Sequence, residues 1–336
     1  MTDRFPILRL PQDVIQRTLR SMEPLDLILF SFSSNRAKSL VASINMQSKV
    51  AAFVSNIFEI IAIGEQHFRW VFYYNEVKNG PIPMKMGTPG IVYLTHMSGE
   101  DKGYVVPKVM DIPSWFSHIK AIFNCSNISQ LQFIEDVGNF ELDSIRENMI
   151  QEDIEKLAVS SRSSDEYNHK IMKSFPYIRH LALEAAAYEN GKPPGEVLIQ
   201  NFCRFDIGNQ SENPTTMELD DILMMNSKSV IIGFSELTEK AANRFLKLWM
   251  RGNSKLEYFS LIVSVANEMI VDRDTVLKGI KFKEVPLEVK RPFDGFEDPI
   301  EGGIDIIRRD GTKGTIKFED GYMDFYIWHD YCKVNN

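Results

Sequence analysis

Phe5-Pro6-Ile7-Leu8-Arg9-Leu10-Pro11 opens a stretch that runs to Ile44 and reads as three short helices. Pro11 suits a first helical position, where a missing N–H costs nothing. Val14, Ile15, Thr18, Leu19 and Met22 then share one face of a 3.6-residue period. Glu23-Pro24 interrupts, and Leu25 to Phe32 is almost wholly apolar, with Asp26 and Ser31 as the polar exceptions. Ser33 or Ser34 can cap a third helix, in which Ala37, Leu40, Val41 and Ile44 recur at i, i+3, i+4 and i+7. Three helices in about 40 residues are too little for a self-sufficient core. They must dock, either on the rest of the chain or on a partner.

The ordered set Leu10-Pro11, Val14-Ile15, Leu19, Pro24-Leu25-Asp26-Leu27 and Phe32-Ser33-Ser34 resembles an F-box. The resemblance implies packing against the Skp-type adaptor of an SCF ubiquitin ligase, and through it a cullin scaffold. The expected contact residues are Leu10, Pro11, Val14, Ile15, Leu19, Leu25, Leu27 and Phe32, some of which must instead hold the three helices together. The same periodicity also fits an ordinary helical cap on the domain that follows.

The chain has 336 residues, room for one large or two ordinary domains. A hydrophobic content of 44% with 25% charged residues is that of a globular protein. The net charge of −8 argues against a phosphate-binding surface, and the densest basic spots, Lys278 to Lys283 and Lys290-Arg291, are short. No nucleic-acid partner is expected. Cys125, Cys203 and Cys332 lie far apart without CxxC spacing, which fits a reducing compartment and signals no metal. The start of the chain lacks an apolar signal core, and runs such as Ile57 to Ile63 are far short of a membrane span. A cytoplasmic or nuclear protein is expected, with the sequons at Asn124, Asn127 and Asn209 unglycosylated.

Beyond residue 50 the period becomes strand-like. Phe58 to Ile63 and His67 to Tyr74 flank Gly64-Glu65-Gln66, a hairpin signal. Residues 79–90 read as a loop, and Ile91 to Thr95 and Tyr104 to Pro107 as two more strands. From Trp115 onward, helical stretches alternate with strand cores beginning at Leu131, Leu157, Leu181, Phe205, Val230 and Tyr258, spaced 26, 24, 24, 25 and 28 residues apart. That spacing is in the range of leucine-rich repeats, though the full consensus is absent. Such units stack into a curved parallel sheet. A globular α/β domain with accidentally regular spacing is the competing reading. Thr238 can cap a helix to Arg251 with Ala241, Ala242, Phe245, Leu248 and Trp249 on one face and Gly252 as its stop. Residues 284–303 read as a loop, followed by a meander of Ile304 to Ile307, Thr315 to Phe318 and Met323 to Trp328, which is expected to pair with the strands at 58–107.

The segments Glu218-Leu219-Asp220-Asp221-Ile222 to Val230, Asn243 to Tyr258 and Leu277-Lys278-Gly279-Ile280, with Ser114-Trp115 upstream, resemble the F-box-associated domain of the large nematode F-box families. The resemblance spans roughly residues 50–285 and implies a non-catalytic substrate receptor whose C-terminal domain binds a target protein. The expected fold is therefore α+β to α/β: a three-helix F-box over 5–45, then a domain over 46–336. The latter comprises a β-rich part at 50–110, LRR-like α/β repeats at 111–285 and a β-meander at 300–330.

Signs of chemistry are thin. Asp220 and Asp221 are adjacent, so on a helix they diverge by about 100°; a first-turn acidic pair is what the helix dipole favours. Gly311-Thr312-Lys313-Gly314-Thr315 lacks Walker spacing and reads as a turn. The six histidines (67, 96, 118, 169, 180, 329) show no HExxH and no i, i+4 pair. His67, Arg69, Trp70, Tyr73 and Tyr74 form an aromatic, basic strand, either a binding face or alternate core residues. Trp115 and Trp249 read as core anchors. No enzyme, cofactor or metal is expected. The alternatives are a repeat-type interaction protein acting outside a ligase and a small-molecule enzyme with a deep pocket at the sheet edge.

Overall fold

The computed structural model describes residues 7–74, 83–97, 103–134, 140–160, 164–184, 187–188, 191–208, 215–235, 237–252, 254–263, 271–319 and 321–330. Cys332, Asn209, Asp320 and residues 79–82 of the loop read at 79–90 lie outside them. The chain forms two compact units, residues 1–158 with 170–176, and residues 159–169 with 177–336.

The first unit begins with a 3₁₀ turn, Ile7–Arg9, and three helices, α1 (Gln12–Arg20), α2 (Pro24–Ser31) and α3 (Asn35–Ala42). Pro11 is the residue before α1 rather than its first member, while Pro24 does open α2. Of the two serines offered as a cap for α3, Ser34 serves: its side chain accepts from the Ala37 N–H. Four antiparallel strands follow, β1 (Lys49–Val54), β2 (Phe58–Ile63), β3 (His67–Tyr73) and β4 (Ile91–His96), then the two-residue β5 (Tyr104–Val105). Next come α4 (Ile112–Ile122), β6 (Gln130–Ile134) and α5 (Leu142–Met149). The strand order is β6-β1-β2-β3-β4-β5, with β6 parallel to β1.

Alternation sets this core. Phe58 faces Phe72, Ile60 faces Trp70 and Ala62 faces Phe68, all buried on one side of the β2–β3 pair. Helix α4 lies on that side. Phe116 meets Phe58 and Trp115 meets Phe72 edge-on, with centroids 6.3 and 5.5 Å apart. The strand read as a possible aromatic, basic face therefore splits. Trp70 is core, Tyr74 is buried against Phe140, and His67, Arg69 and Tyr73 take the other side, where Arg69 pairs with Glu59.

The boundary between the units falls within β7 (Lys156–Ser160) and again within α6 (Asp165–Ser174). The second unit continues with β8 (His180–Leu183), α7 (Gly195–Leu198), β9 (Arg204–Ile207), α8 (Leu219–Met224), β10 (Ser229–Ser235), α9 (Glu239–Arg251), β11 (Tyr258–Val263) and α10 (Arg273–Leu277). It ends with β12 (Lys283–Arg291), β13 (Ile300–Ile307), β14 (Lys313–Glu319) and β15 (Tyr322–Trp328). Strands β8 to β11 are neighbours in chain order and parallel, and β11 pairs antiparallel with β15. Three helices at the chain start followed by mixed sheet is thus the architecture.

Two readings of the C-terminal region are corrected. Residues 283–291 form a strand rather than part of a loop, leaving 292–299 as the connection. Pro286 misled the reading: an edge strand tolerates proline because one side of its backbone needs no ladder partner. The meander joins the sheet at β11, Tyr326 facing Tyr258 and Asp324 facing Ser260, rather than at the strands at 58–107. In α9 the Thr238 side chain accepts from the Ala241 N–H, as its sequence suggests. Its buried side carries Ala242, Phe245, Leu246 and Trp249, whereas Leu248 stays 37% exposed.

Candidate functional site

The N-terminal helices are seated on α4 of their own unit. Phe32 stacks on His118 with ring centroids 4.2 Å apart and meets Trp115 at 5.3 Å. The Asn124 side-chain amide donates to Ala42 O at 3.0 Å. Ser31 Oγ lies 2.6 Å from Ile28 O and 2.7 Å from His118 Nε2. A hydroxyl has one proton, so with Ser31 donating to Ile28 O, His118 donates to it from Nε2.

This seating divides the eight candidate contact residues. Ile15, Leu19 and Leu27 are 1, 0 and 3% exposed and hold the helices together. Phe32 is half-buried against α4. Pro11 and Val14 are exposed, and Leu10 and Leu25 are half-exposed. All four keep apolar area that the rest of the described unit leaves uncovered.

Burial, with the Lys38 and Lys108 charges adding to it, lowers the His118 pKa to about 4. An unfolded histidine titrates near 6.5. Between those values the unfolded chain binds a proton that the folded one refuses, so stability is full above about pH 6.5, falls on acidification and levels off below about pH 4. The effect is worth about 2 kcal/mol once partial solvent screening is allowed for. Urea unfolding of the wild type and of His118→Gln across this window measures it. The variant should lose most of the slope, and an unchanged slope would rule His118 out as its source.

In the second unit α9 lies on one side of the sheet. Leu181, Phe205, Val230, Phe259 and Phe325 fall in one register row, and α9 covers it with Phe245 on Phe259 and Trp249 on Phe325. The rows on either side of it face the other way. They bring His180, Arg204, Ser229, Tyr258 and Tyr326 beside Ala182, Asp206, Ile231, Ser260 and Asp324.

Here Tyr258 and Tyr326 donate to Asp324 at 2.8 and 3.2 Å. Arg204 Nε donates to both oxygens of Asp206, at 2.9 and 3.1 Å, and His180 Nε2 lies 2.8 Å away. Burial pushes the Asp206 pKa up, but the His180 and Arg204 hydrogen bonds and charges outweigh it and hold the carboxyl below its usual range. Burial, then the Asp324 charge, raises both tyrosine pKa values. Both carboxylates are engaged by neighbouring donors of the sheet face. Phe293 and Phe296 pack on Tyr258 and Tyr326, covering that end of the face.

The other chemical candidates resolve into structure. Asp221 accepts from the Glu218 N–H in a capping box and pairs with Lys192 at 3.2 Å, while Asp220 is exposed. Gly311 and Thr312 lie in the turn from β13 into β14, fixed by Arg308 N–H to Thr312 O at 2.8 Å, whereas Lys313, Gly314 and Thr315, read as part of that turn, already belong to β14. Trp115 and Trp249 are core, 0 and 4% exposed. Among the described residues no group of three or more His, Cys, Asp and Glu is placed to hold a metal. No helix among them is long and apolar enough to cross a membrane. The polar network on the side opposite α9 was missed in the sequence, although its signal was present: His180/Ala182, Arg204/Asp206 and Tyr258/Ser260 alternate with the strand-core positions.

Two family models match the chain: an F-box domain over residues 7–48 and an F-box associated domain over residues 194–261. A Caenorhabditis elegans protein named F-box associated domain-containing protein sdz-33 is 24% identical over 96% of this chain and 96% of its own length. A second from that organism, named E3 ubiquitin-protein ligase hecw-1, is 26% identical over 84% of this chain, which spans only 24% of that larger protein. A solved structure of a probable ornithine cyclodeaminase from Bordetella pertussis Tohama I covers 63% of this chain and 69% of its own at 11% identity. Its TM-score of 0.17 lends nothing to fold or activity.

Proposed function

We propose that this chain, a nematode-type F-box protein with a C-terminal F-box-associated domain, is the substrate-recruiting subunit of an SCF-type ubiquitin ligase. The F-box, over 5–45, docks on a Skp-type adaptor and so on a cullin scaffold; residues 46–336 hold a target protein, whose degradation follows. The observation carrying this reading is the apolar area of Leu10, Pro11, Val14 and Leu25, left uncovered within the segment that matches the F-box model. We read the successive helix–strand units between 111 and 285 as LRR-like, a geometry that offers an extended face to a partner. No residue of the chain performs chemistry. Its contribution is to raise the effective concentration of target beside a ubiquitin-carrying enzyme held elsewhere. Such work is done in the cytoplasm or nucleus.

Co-expression with a Skp-type adaptor and purification through the adaptor tests the reading. The wild type should co-purify stoichiometrically. The triple variant Leu10→Ala, Pro11→Ala, Val14→Ala should lose at least tenfold in recovery while keeping its melting temperature, because these side chains contribute little to the unit's own core. Wild type and variant failing alike, both folded, would sink it. The second reading is an LRR-like interaction protein acting outside a ligase, with the helices as a cap. It draws on the Ser31–His118 and Phe32–Trp115 contacts, which are what an intrachain cap makes.

A further inference from the structure

Helix α8 has only six residues, and beside α9 it leaves a groove of about 500 Å³. Val230 and Phe259 of the sheet line it, with Leu223 from α8 and Phe245 and Leu248 from α9, and Asn201, Asn226, Ser227 and Ser254 add polar groups at its wall. Leu223 is 46% and Leu248 37% exposed, so the apolar lining opens to solvent. Lys255 is the one charged residue in that lining.

Next to the groove the chain's charge reverses sign. Lys240, Arg244, Lys247 and Arg251 recur at i, i+4, i+7 and i+11, a single stripe about 16 Å long on α9. Leu248 lies at the stripe's border with the groove. Among the described residues none of these four cations, nor Lys255, is held in an ion pair. In a chain of net charge −8, unpaired cations gathered along one helix are a local departure from the whole. Desolvating them costs least when a carboxylate-bearing partner replaces the water. Trp249 adds a buried indole N–H without an acceptor.

We propose that the α8–α9 groove is the target-docking site, and that it takes a short acidic segment of a protein that seats one or two bulky apolar side chains between Leu223 and Leu248. The apolar lining supplies the anchor, and the cationic stripe supplies orientation and selects against basic segments. The inference rests on the C-terminal domain being a target receptor, yet it is tested without the adaptor.

A phage-displayed library of random twelve-residue peptides is panned on the full-length chain, immobilised through a terminal tag. The selected pool should be enriched in Asp and Glu together with Leu, Met or Phe. Its retention should fall at least tenfold on Leu248→Glu and on the double variant Arg244→Glu, Arg251→Glu, and should fall as salt rises. All three substituted side chains are exposed, so both variants should melt as the wild type does. A Leu248→Ala variant, with no added charge, should give an intermediate loss and guards against misfolding in the first. No enrichment, a pool of basic or neutral peptides, or retention unmoved by the variants would each overturn the proposal. Adaptor co-purification remains unaffected by any of these results, so the two readings fail separately.

Discussion

Trp115→Ala is expected to cost the first unit about 3–5 kcal/mol, the range for truncating a fully buried aromatic. Trp115 is 0% exposed, meets Phe72 edge-on at 5.5 Å, and meets Phe32 at 5.3 Å. The sheet core and the N-terminal helices therefore share one side chain, and its removal opens a cavity that touches both. The expected drop in melting temperature is about 10 °C, read by near-ultraviolet circular dichroism. The indole N–H is buried without an acceptor. Trp115→Phe, which removes that unsatisfied donor while keeping most of the ring, should thus cost far less. If the alanine variant lies within 1 kcal/mol of the wild type, the aromatic cluster is not the seat of the helices. The functional consequence is specific: Trp115→Ala should also weaken adaptor co-purification although it touches no exposed F-box residue.

Gly208→Ala is expected to prevent the second unit from folding stably, with a loss above about 3 kcal/mol. Gly208 sits at the end of β9 with φ of +83°, in the left-handed region. A Cβ there would lie 2.2 Å from Gly233 O and 2.6 Å from Thr215 Cγ2. The approach is reciprocal, since a Cβ on Gly233 would lie 2.5 Å from Gly208 O. Backbone must move, and the backbone in question belongs to a parallel ladder. Gly311, at φ +91° with nothing within 4 Å of its would-be Cβ, isolates the conformational part of the penalty; Gly311→Ala should cost about 1 kcal/mol. Equal losses in the two variants, measured by chemical denaturation, would show that the close approach is immaterial.

What the sequence disclosed was what periodicity and caps encode. The helices of residues 12–42, the Thr238 cap and the strand cores from Leu131 to Tyr258 were all readable because each repeats a local rule over several residues. β12 was not, because Pro286 and its charged neighbours carry the composition of a loop, and only its pairing with β13 makes it a strand. The pairing of β15 with β11 was equally hidden, since long-range register leaves no local trace. Among the eight F-box residues, sequence named an apolar set but could not separate Ile15, Leu19 and Leu27 from Leu10, Pro11, Val14 and Leu25. Both sets obey the same period, and only the packing of the folded helices distinguishes them. Leu248 shares the apolar period of α9 with Phe245 and Trp249, so its exposure was not legible from its own helix.

The outer strand of the second unit constrains how a partner can be read. β12 has one neighbour, β13, and its free edge carries Pro286 among exposed Glu284, Glu288 and Lys290, with a register irregularity between Val285 and Lys290. A proline removes a donor, exposed charged side chains resist being covered by an incoming chain, and an irregular edge offers no even ladder. Strand addition is therefore closed to a guest at this edge. A partner met at this edge must therefore be recognised by its side chains, and a polypeptide that merely happens to be extended will be refused there.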